Sequence, residues 1–277
     1  VLAKAAQFNV KVSQIWNKTY GELQIAAHPF YSSGIAFTGR NFATADGSVF
    51  DLDGNKIGKL NFTGVPTSDQ ANFVLIDMTN DVNGVLLATV GLTADGGVPK
   101  RGDDIKTTKF YAWLDGWDKD PQLIRDQENN FAQYISLAGD LKTKALLTYP
   151  APVRGDDQMH HCILYTNKVW SKAKWKGPKT GLKSSDGCWG QQISFTEPDF
   201  NSTFFIWDSQ GNNLGSAFYA RKGVDGTNVP LFGTLWTDKI VAKEEHGGSN
   251  QYGNYSVGHA RAFKYDGKDY VIASSAG

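Results

Sequence analysis

Apolar and polar positions alternate along this chain in a recurring shape: an apolar run, a short polar break, then a second apolar run. Asn72–Val90 (NFVLIDMTNDVNGVLLATV) shows it most clearly, with the break at Asp81. The same shape returns around Asn41, Asp140, Asp199 and Asp238, so the breaks stand 40, 59, 59 and 39 residues apart. Two apolar runs joined by a polar turn predict a hairpin, and a hairpin repeated every ~40–60 residues predicts one blade per repeat of a β-propeller. The runs Phe73–Ile76 and Val85–Val90 are continuously apolar rather than alternating. Strands covered on both faces read this way, as in stacked blades. Helical periodicity is nearly absent, and Pro121–Gln133 is its best, weakly amphipathic candidate.

These signals predict an all-β fold: a single β-propeller domain of five or six blades over residues 1–277, with a large irregular sandwich as the alternative. Repeats fall near 34–64, 72–127, 131–182, 188–226 and 229–277. Residues 1–33 hold candidate strands Phe8–Trp16 and Glu22–Ala27, expected to close the ring by pairing with the last blade, because closure removes exposed sheet edges. Within the repeats, Asp53-Gly54 between Val49–Leu52 and Asn55–Leu60 is a strong hairpin signal, since both residues tolerate positive φ. Lys109–Leu114 and Met159–Trp170 read as strands. Gln210–Asn213 and Tyr265–Lys268 read as further hairpin turns.

Composition narrows the partners. The 28 basic and 28 acidic residues cancel, which argues against a nucleic-acid partner, since phosphate contacts need a basic stripe. No stretch is long and apolar enough for a membrane-spanning helix. The start, Val1–Ala6, has neither an initiator Met nor a signal-peptide pattern, and reads as a processed or truncated piece. Cys162 and Cys188 would close a loop of about 25 residues as a disulfide. Two separate thiols, with Cys162 buried in an apolar run, are the other reading, so the cysteines do not fix the compartment.

No motif names a reaction, so no catalytic residue, metal site or cofactor is expected. Asp51-Leu52-Asp53-Gly54-Asn55 begins like a calcium loop, but Gly54 is fourth rather than sixth and Phe62 stands where the closing Glu belongs. Ser184–Trp189 resembles a shortened Asp-box turn, a structural motif in any case. His160 and His161 are adjacent on a strand and point to opposite faces, so they do not ligate one metal together; His161 and Cys162 are placed likewise. No G-x-S-x-G elbow is present. The repeated Asp81, Asp140, Asp199 and Asp238, with Asn41, fit turn residues better than a glycosidase pair.

Tryptophan carries the remaining signal. Of eight, Trp113, Trp117, Trp175 and Trp189 lie in loop-like context beside Asp, Lys and Gly. Rings plugging gaps between blades are the commoner reading. The other nominates these four as a ligand-binding set, stacking on a sugar face while polar neighbours bind its hydroxyls.

The phrases Phe50-Asp51-Leu52-Asp53-Gly54-Asn55 and Leu137–Ala145 (LAGDLKTKA) resemble the secreted or lipid-anchored β-propeller-like domains of unknown function found in Bacteroidetes surface proteins. That resemblance spans about residues 34–226 and implies an extracytoplasmic location and a role near glycan capture or adhesion. It carries over no catalytic residue. The expected function is therefore a non-enzymatic, monomeric binding module for a glycan or protein ligand at the cell surface. A carbohydrate-active hydrolase or lyase with carboxylates at the propeller axis, and a structural or adhesion scaffold, are the alternatives.

Overall fold

The computed structural model describes residues 20–23, 34–66, 75, 77–97, 99, 105–128, 135–150, 160–167, 169–171, 191–209, 216–223, 226–227, 229–232, 257–265 and 267–275. A single helical turn, α1 (Tyr20–Leu23), precedes the strands and takes Glu22–Leu23 out of the expected strand. The first sheet is β1 (Ile35–Phe37), β2 (Phe42–Thr44), β3 (Ser48–Phe50) and β4 (Lys56–Lys59). The second is β5 (Asp77–Asn80), β6 (Leu86–Leu92), β7 (Thr107–Trp113) and β8 (Gln122–Glu128). The third is β9 (Ser136–Asp140), β10 (Lys144–Pro150), β11 (His160–Thr166) and β12 (Val169–Ser171). The fourth is β13 (Gln191–Phe195), β14 (Thr203–Ser209), β15 (Ser216–Lys222) and β16 (Val229–Phe232). A fifth, two-stranded sheet holds β17 (Val257–Tyr265) and β18 (Lys268–Ser275). Within each sheet, strands consecutive in sequence pair antiparallel.

The all-β expectation holds, and each polar break turns a hairpin as read: Asn41 between β1 and β2, Asp81 between β5 and β6, Asp140 between β9 and β10, and Asp199 between β13 and β14. Asp238 lies outside the described residues. The closed propeller does not hold. Among the described residues the strands form five separate sheets, none of them closed. Among the described residues β18 pairs only with β17, and no N-terminal strand joins it. The physical reason is one of range. Turn chemistry specifies hairpins locally, whereas ring closure requires pairing between distant strands that the repeat does not encode.

Three smaller expectations also change. The described part of Pro121–Gln133 is strand rather than helix, since β8 fills Gln122–Glu128 and pairs with β7. Met159–Trp170 is not one strand: Asn167, at φ 49°, turns the chain between β11 and β12. Val229 does not begin a fifth repeat, because β16 completes the fourth sheet.

The apolar runs are explained by stacking. β1 lies against β5, β5 against β9, β9 against β13, and β13 against β17. In β6, Leu86, Ala88, Val90 and Leu92 turn toward the first sheet and pack with Ala43, Val49 and Met78. Leu87 turns the other way, into a cluster with Phe110, Leu137 and Leu147. β10 repeats the pattern one sheet on: Ala145, Leu147 and Tyr149 face the second sheet, and Leu146 meets Ile193 and Phe204 of the fourth. Successive strand residues point to opposite faces, so a strand between two sheets is apolar on both, with the buried Thr89 and Thr148 as hydrogen-bonded exceptions. Each such large side chain contributes about 1.5–3 kcal/mol by burial.

Candidate functional site

At the far end of the second sheet stand two of the four nominated tryptophans: Trp113 ends β7, and Trp117 lies in the loop Leu114–Pro121 that follows. Trp113 is in the core, only 1% exposed. Its indole N–H donates to the Asn61 carbonyl at 2.9 Å, and Phe62 meets its ring edge-on with centroids 6.2 Å apart. No face of Trp113 is open to a ligand; this ring fills the space between the first and second sheets. Trp117 is half-buried and packs against the same cluster. Its six-membered ring lies on Gly58 of β4, so close that a Cβ there would come within 2.8 Å of it. The structure thus brings Trp113 and Trp117 together through one loop. Trp175 and Trp189 lie outside the described residues.

Asn61 ties this region together, and nothing in the apolar pattern singles it out. Its backbone N–H donates to the Trp117 carbonyl at 3.0 Å, and its carbonyl accepts the Trp113 indole. Its side-chain Nδ2 donates to Asp120 Oδ1 at 2.8 Å and to the Asp118 carbonyl at 3.4 Å. Its Oδ1 accepts the Thr63 N–H and hydroxyl, at 2.9 and 2.8 Å. Every polar atom of this asparagine is engaged, which fixes the chain leaving the first sheet against the loop leaving β7. The local signal was legible as Asn61-Phe62-Thr63, whose Asn–Thr pair forms an Asx-type turn.

Over this anchor opens a shallow depression of about 520 Å³, lined by Asn61, Asp115, Asp118, Lys119, Asp120 and Gln122. Asp118 and Lys119 form an exposed ion pair at 2.9 Å, and that hydrogen bond holds the Asp118 carboxyl below the usual carboxylate range. An exposed pair of this kind adds little stability. The surface therefore offers carboxylate and amide acceptors and an ammonium donor, on a base made rigid by two packed tryptophans.

The other candidates resolve locally. Asp51 spends its carboxylate on its own hairpin, accepting the Asp53 and Asn55 N–H groups at 3.0 and 2.8 Å and Asn55 Nδ2 at 3.0 Å. His160, His161 and Cys162 are consecutive on β11, while Cys188 and the Ser184–Trp189 turn lie outside the described residues. Among the described residues no three His, Cys, Asp or Glu converge to hold a metal ion. None of the described helices is long and apolar enough to cross a membrane.

The repeated aspartates are joints between sheets as well as turn residues. Asp81 is 3% exposed. Its Oδ1 accepts the N–H groups of Asn83 and Val85, both at 2.8 Å, and its Oδ2 reaches across to the Leu141 N–H of the third sheet at 2.9 Å. Burial pushes its carboxyl above the usual range, against the pull of those three N–H groups; the nearby Asp140 charge adds to the rise. At the other end of β5, fully buried Asp77 accepts the N–H of Met78 at 2.8 Å and of Ile135, before β9, at 2.9 Å. The next joints use neutral groups. Ser136 and Ser194 share a hydroxyl hydrogen bond at 2.8 Å, and Ser194 accepts the Ala262 N–H at 2.7 Å.

No family model and no curated protein matches the chain. Among solved structures the chain is similar to a crystal structure of a DUF4623 family protein from Bacteroides eggerthii, at 12% identity. The match covers 89% of this chain and 68% of that one with a TM-score of 0.34, a likeness too distant to bear on fold or function.

Proposed function

We propose that this chain is a non-catalytic binding module that works outside the cytoplasm and takes a glycan in the depression beside Trp117. One observation carries this reading. An open, polar-lined depression sits on a rigid base in which Asn61 and two tryptophans fix the loop presenting Asp115, Asp118, Lys119 and Asp120. Hydroxyl-rich ligands bind to such pre-positioned acceptors and donors at small ordering cost. The experiment is intrinsic tryptophan fluorescence against a panel of soluble polysaccharides, with reducing ends measured in parallel. A saturable shift with one glycan class, lost in Trp117→Phe and weakened in Asp120→Ala, is expected. Silence across the panel would overturn the glycan reading in favour of a protein ligand, and new reducing ends would overturn the non-catalytic one.

A further inference from the structure

One residue of the first sheet bears directly on the depression. β4 is the outer strand of its sheet, and Gly58 is its least exposed residue. A glycine inside a strand weakens it and gives the sheet nothing to pack. The φ of Gly58 lies outside the left-handed region, so no turn calls for glycine there. Its cross-strand partner Val49 is fully buried in the core between the first and second sheets. Gly58 thus lies on the face turned toward the second sheet, and the group beside it is the indole of Trp117. A Cβ on Gly58 would stand 2.8 Å from Cη2, 2.9 Å from Cζ3 and 4.0 Å from Cζ2. The outer edge of the ring is what meets the strand. The other end of the same residue is held as well, since the Trp117 carbonyl accepts the Asn61 N–H at 3.0 Å, a little further along the same segment. Asn61 in turn holds Asp120 Oδ1 and the Asp118 carbonyl.

We propose that Gly58 is a positioning residue of the ligand site: its bare backbone sets the depth at which Trp117 sits and, through Trp117 and Asn61, the height of the loop that presents Asp118 and Asp120. The inference rests on the reading of this depression as a glycan site. Non-bonded carbon atoms pack at about 3.5–4.0 Å, so a methyl group on Gly58 must push the ring edge away by roughly 1 Å. The indole is one rigid plane on two side-chain torsions, so it swings as a whole. Trp117 already packs against the core cluster, which leaves the swing two outlets. The ring moves into the depression, or the displacement passes along the backbone to the bond with Asn61. Either one shifts the surface that a ligand meets. The strand itself gains from exchanging glycine for alanine. Ligand affinity and fold stability therefore respond to Gly58→Ala in opposite directions.

Gly58→Ala and Gly58→Val in the full chain, each made also in a Trp117→Phe background, test this as double-mutant cycles. The smaller ring of Trp117→Phe lacks both of the atoms that meet Gly58. Two readouts need no ligand: hydrogen exchange at the Asn61 amide, and the Trp117 resonance in fluorine NMR of fluorotryptophan-labelled protein. Gly58→Ala should move that resonance and lower Asn61 protection roughly 3-fold, and Gly58→Val roughly 10-fold, with neither effect on Asn61 in the Trp117→Phe background. The denaturant midpoint of Gly58→Ala should hold or rise, and its affinity for a glycan that binds the wild type should fall roughly 3- to 10-fold. Unchanged Asn61 protection and resonance, equal effects with and without the Trp117 indole, or a midpoint that falls in step with the lost protection would each overturn the proposal. A glycan that binds Gly58→Ala as tightly as the wild type would also overturn it and leave the binding reading standing. If no glycan binds the wild type, that reading falls, and the Asn61 cycle still decides whether Gly58 positions the loop.

Discussion

The turns at Asp81 and Asp199 begin from the same residue type, at the same place between the first and second strands of their sheets, yet they do different jobs. Asp199 is exposed and accepts the Asn201 N–H two residues on, at 2.8 Å, which is all a turn needs. Asp81 is buried, satisfies two amides of its own turn, and spends its second oxygen on the next sheet. Asp140 stands between them: half-buried, it accepts the Lys142 N–H at 2.7 Å and the Thr143 hydroxyl at 3.1 Å, all within its own turn. Repetition of a residue along the chain therefore marks a shared local role. Whether that residue also joins sheets depends on whether another sheet covers it.

Substitutions should rank in that order. Asp81→Ala strands three amides, two of them buried beside the core, and should lower unfolding free energy by about 3 kcal/mol in a denaturant titration. Gly139→Ala comes next, at about 2 kcal/mol. Its φ of 90° disfavours any side chain, and a Cβ would stand 2.8 Å from Pro198 Cγ, pushing the third turn off the fourth. Asp140→Ala should cost about 1 kcal/mol, a net hydrogen bond's worth. Asp199→Ala should shift the midpoint least, by about 0.5 kcal/mol. If Asp199→Ala proved as costly as Asp81→Ala, coverage by a neighbouring sheet would not be what separates the two turns.

Acid sharpens the same contrast. Asp81 has a folded-state pKa raised above the ordinary 3.8, chiefly by burial. The native state therefore holds its proton more tightly than the unfolded chain does. The stability this supplies is complete below 3.8 and is lost as pH rises through the raised folded value. The penalty of Asp81→Asn should accordingly be larger at pH 4 than at pH 7. Thermal melts of wild type and variant at the two pH values measure this.

The hairpins were legible in the sequence because their chemistry is local. Asp53-Gly54 turns between β3 and β4, and Tyr265 pairs with Lys268 across the last turn, as the residue types alone require. The continuous apolar run Val85–Val90 correctly announced burial on both faces. Pro121–Gln133 misled because β8 is the outer strand of its sheet and carries Arg125, Asp126 and Gln127 among its few apolar residues, so no period-2 pattern emerges. The expectation of a closed ring failed for a different reason: stacking of one sheet on the next depends on side chains such as Leu87 and Leu147, which a stack of sheets buries alike whether or not it closes. At the candidate site, the run Asp115–Asp120 and its tryptophans were visible as a polar loop. The convergence of Trp113, Trp117, Asp118 and Asp120 on Asn61, more than fifty residues away, was not.

Strand order that follows sequence order has a consequence for how the chain is made. The first sheet needs only residues 35–59 and the second only 77–128, so each can complete its hydrogen bonding before the next has left the ribosome. The polypeptide can fold from its beginning as it emerges, with each finished sheet presenting an apolar face as the template for its successor. An arrest of translation between two sheets would leave a half-made stack whose last exposed face is the natural place for a chaperone to hold it.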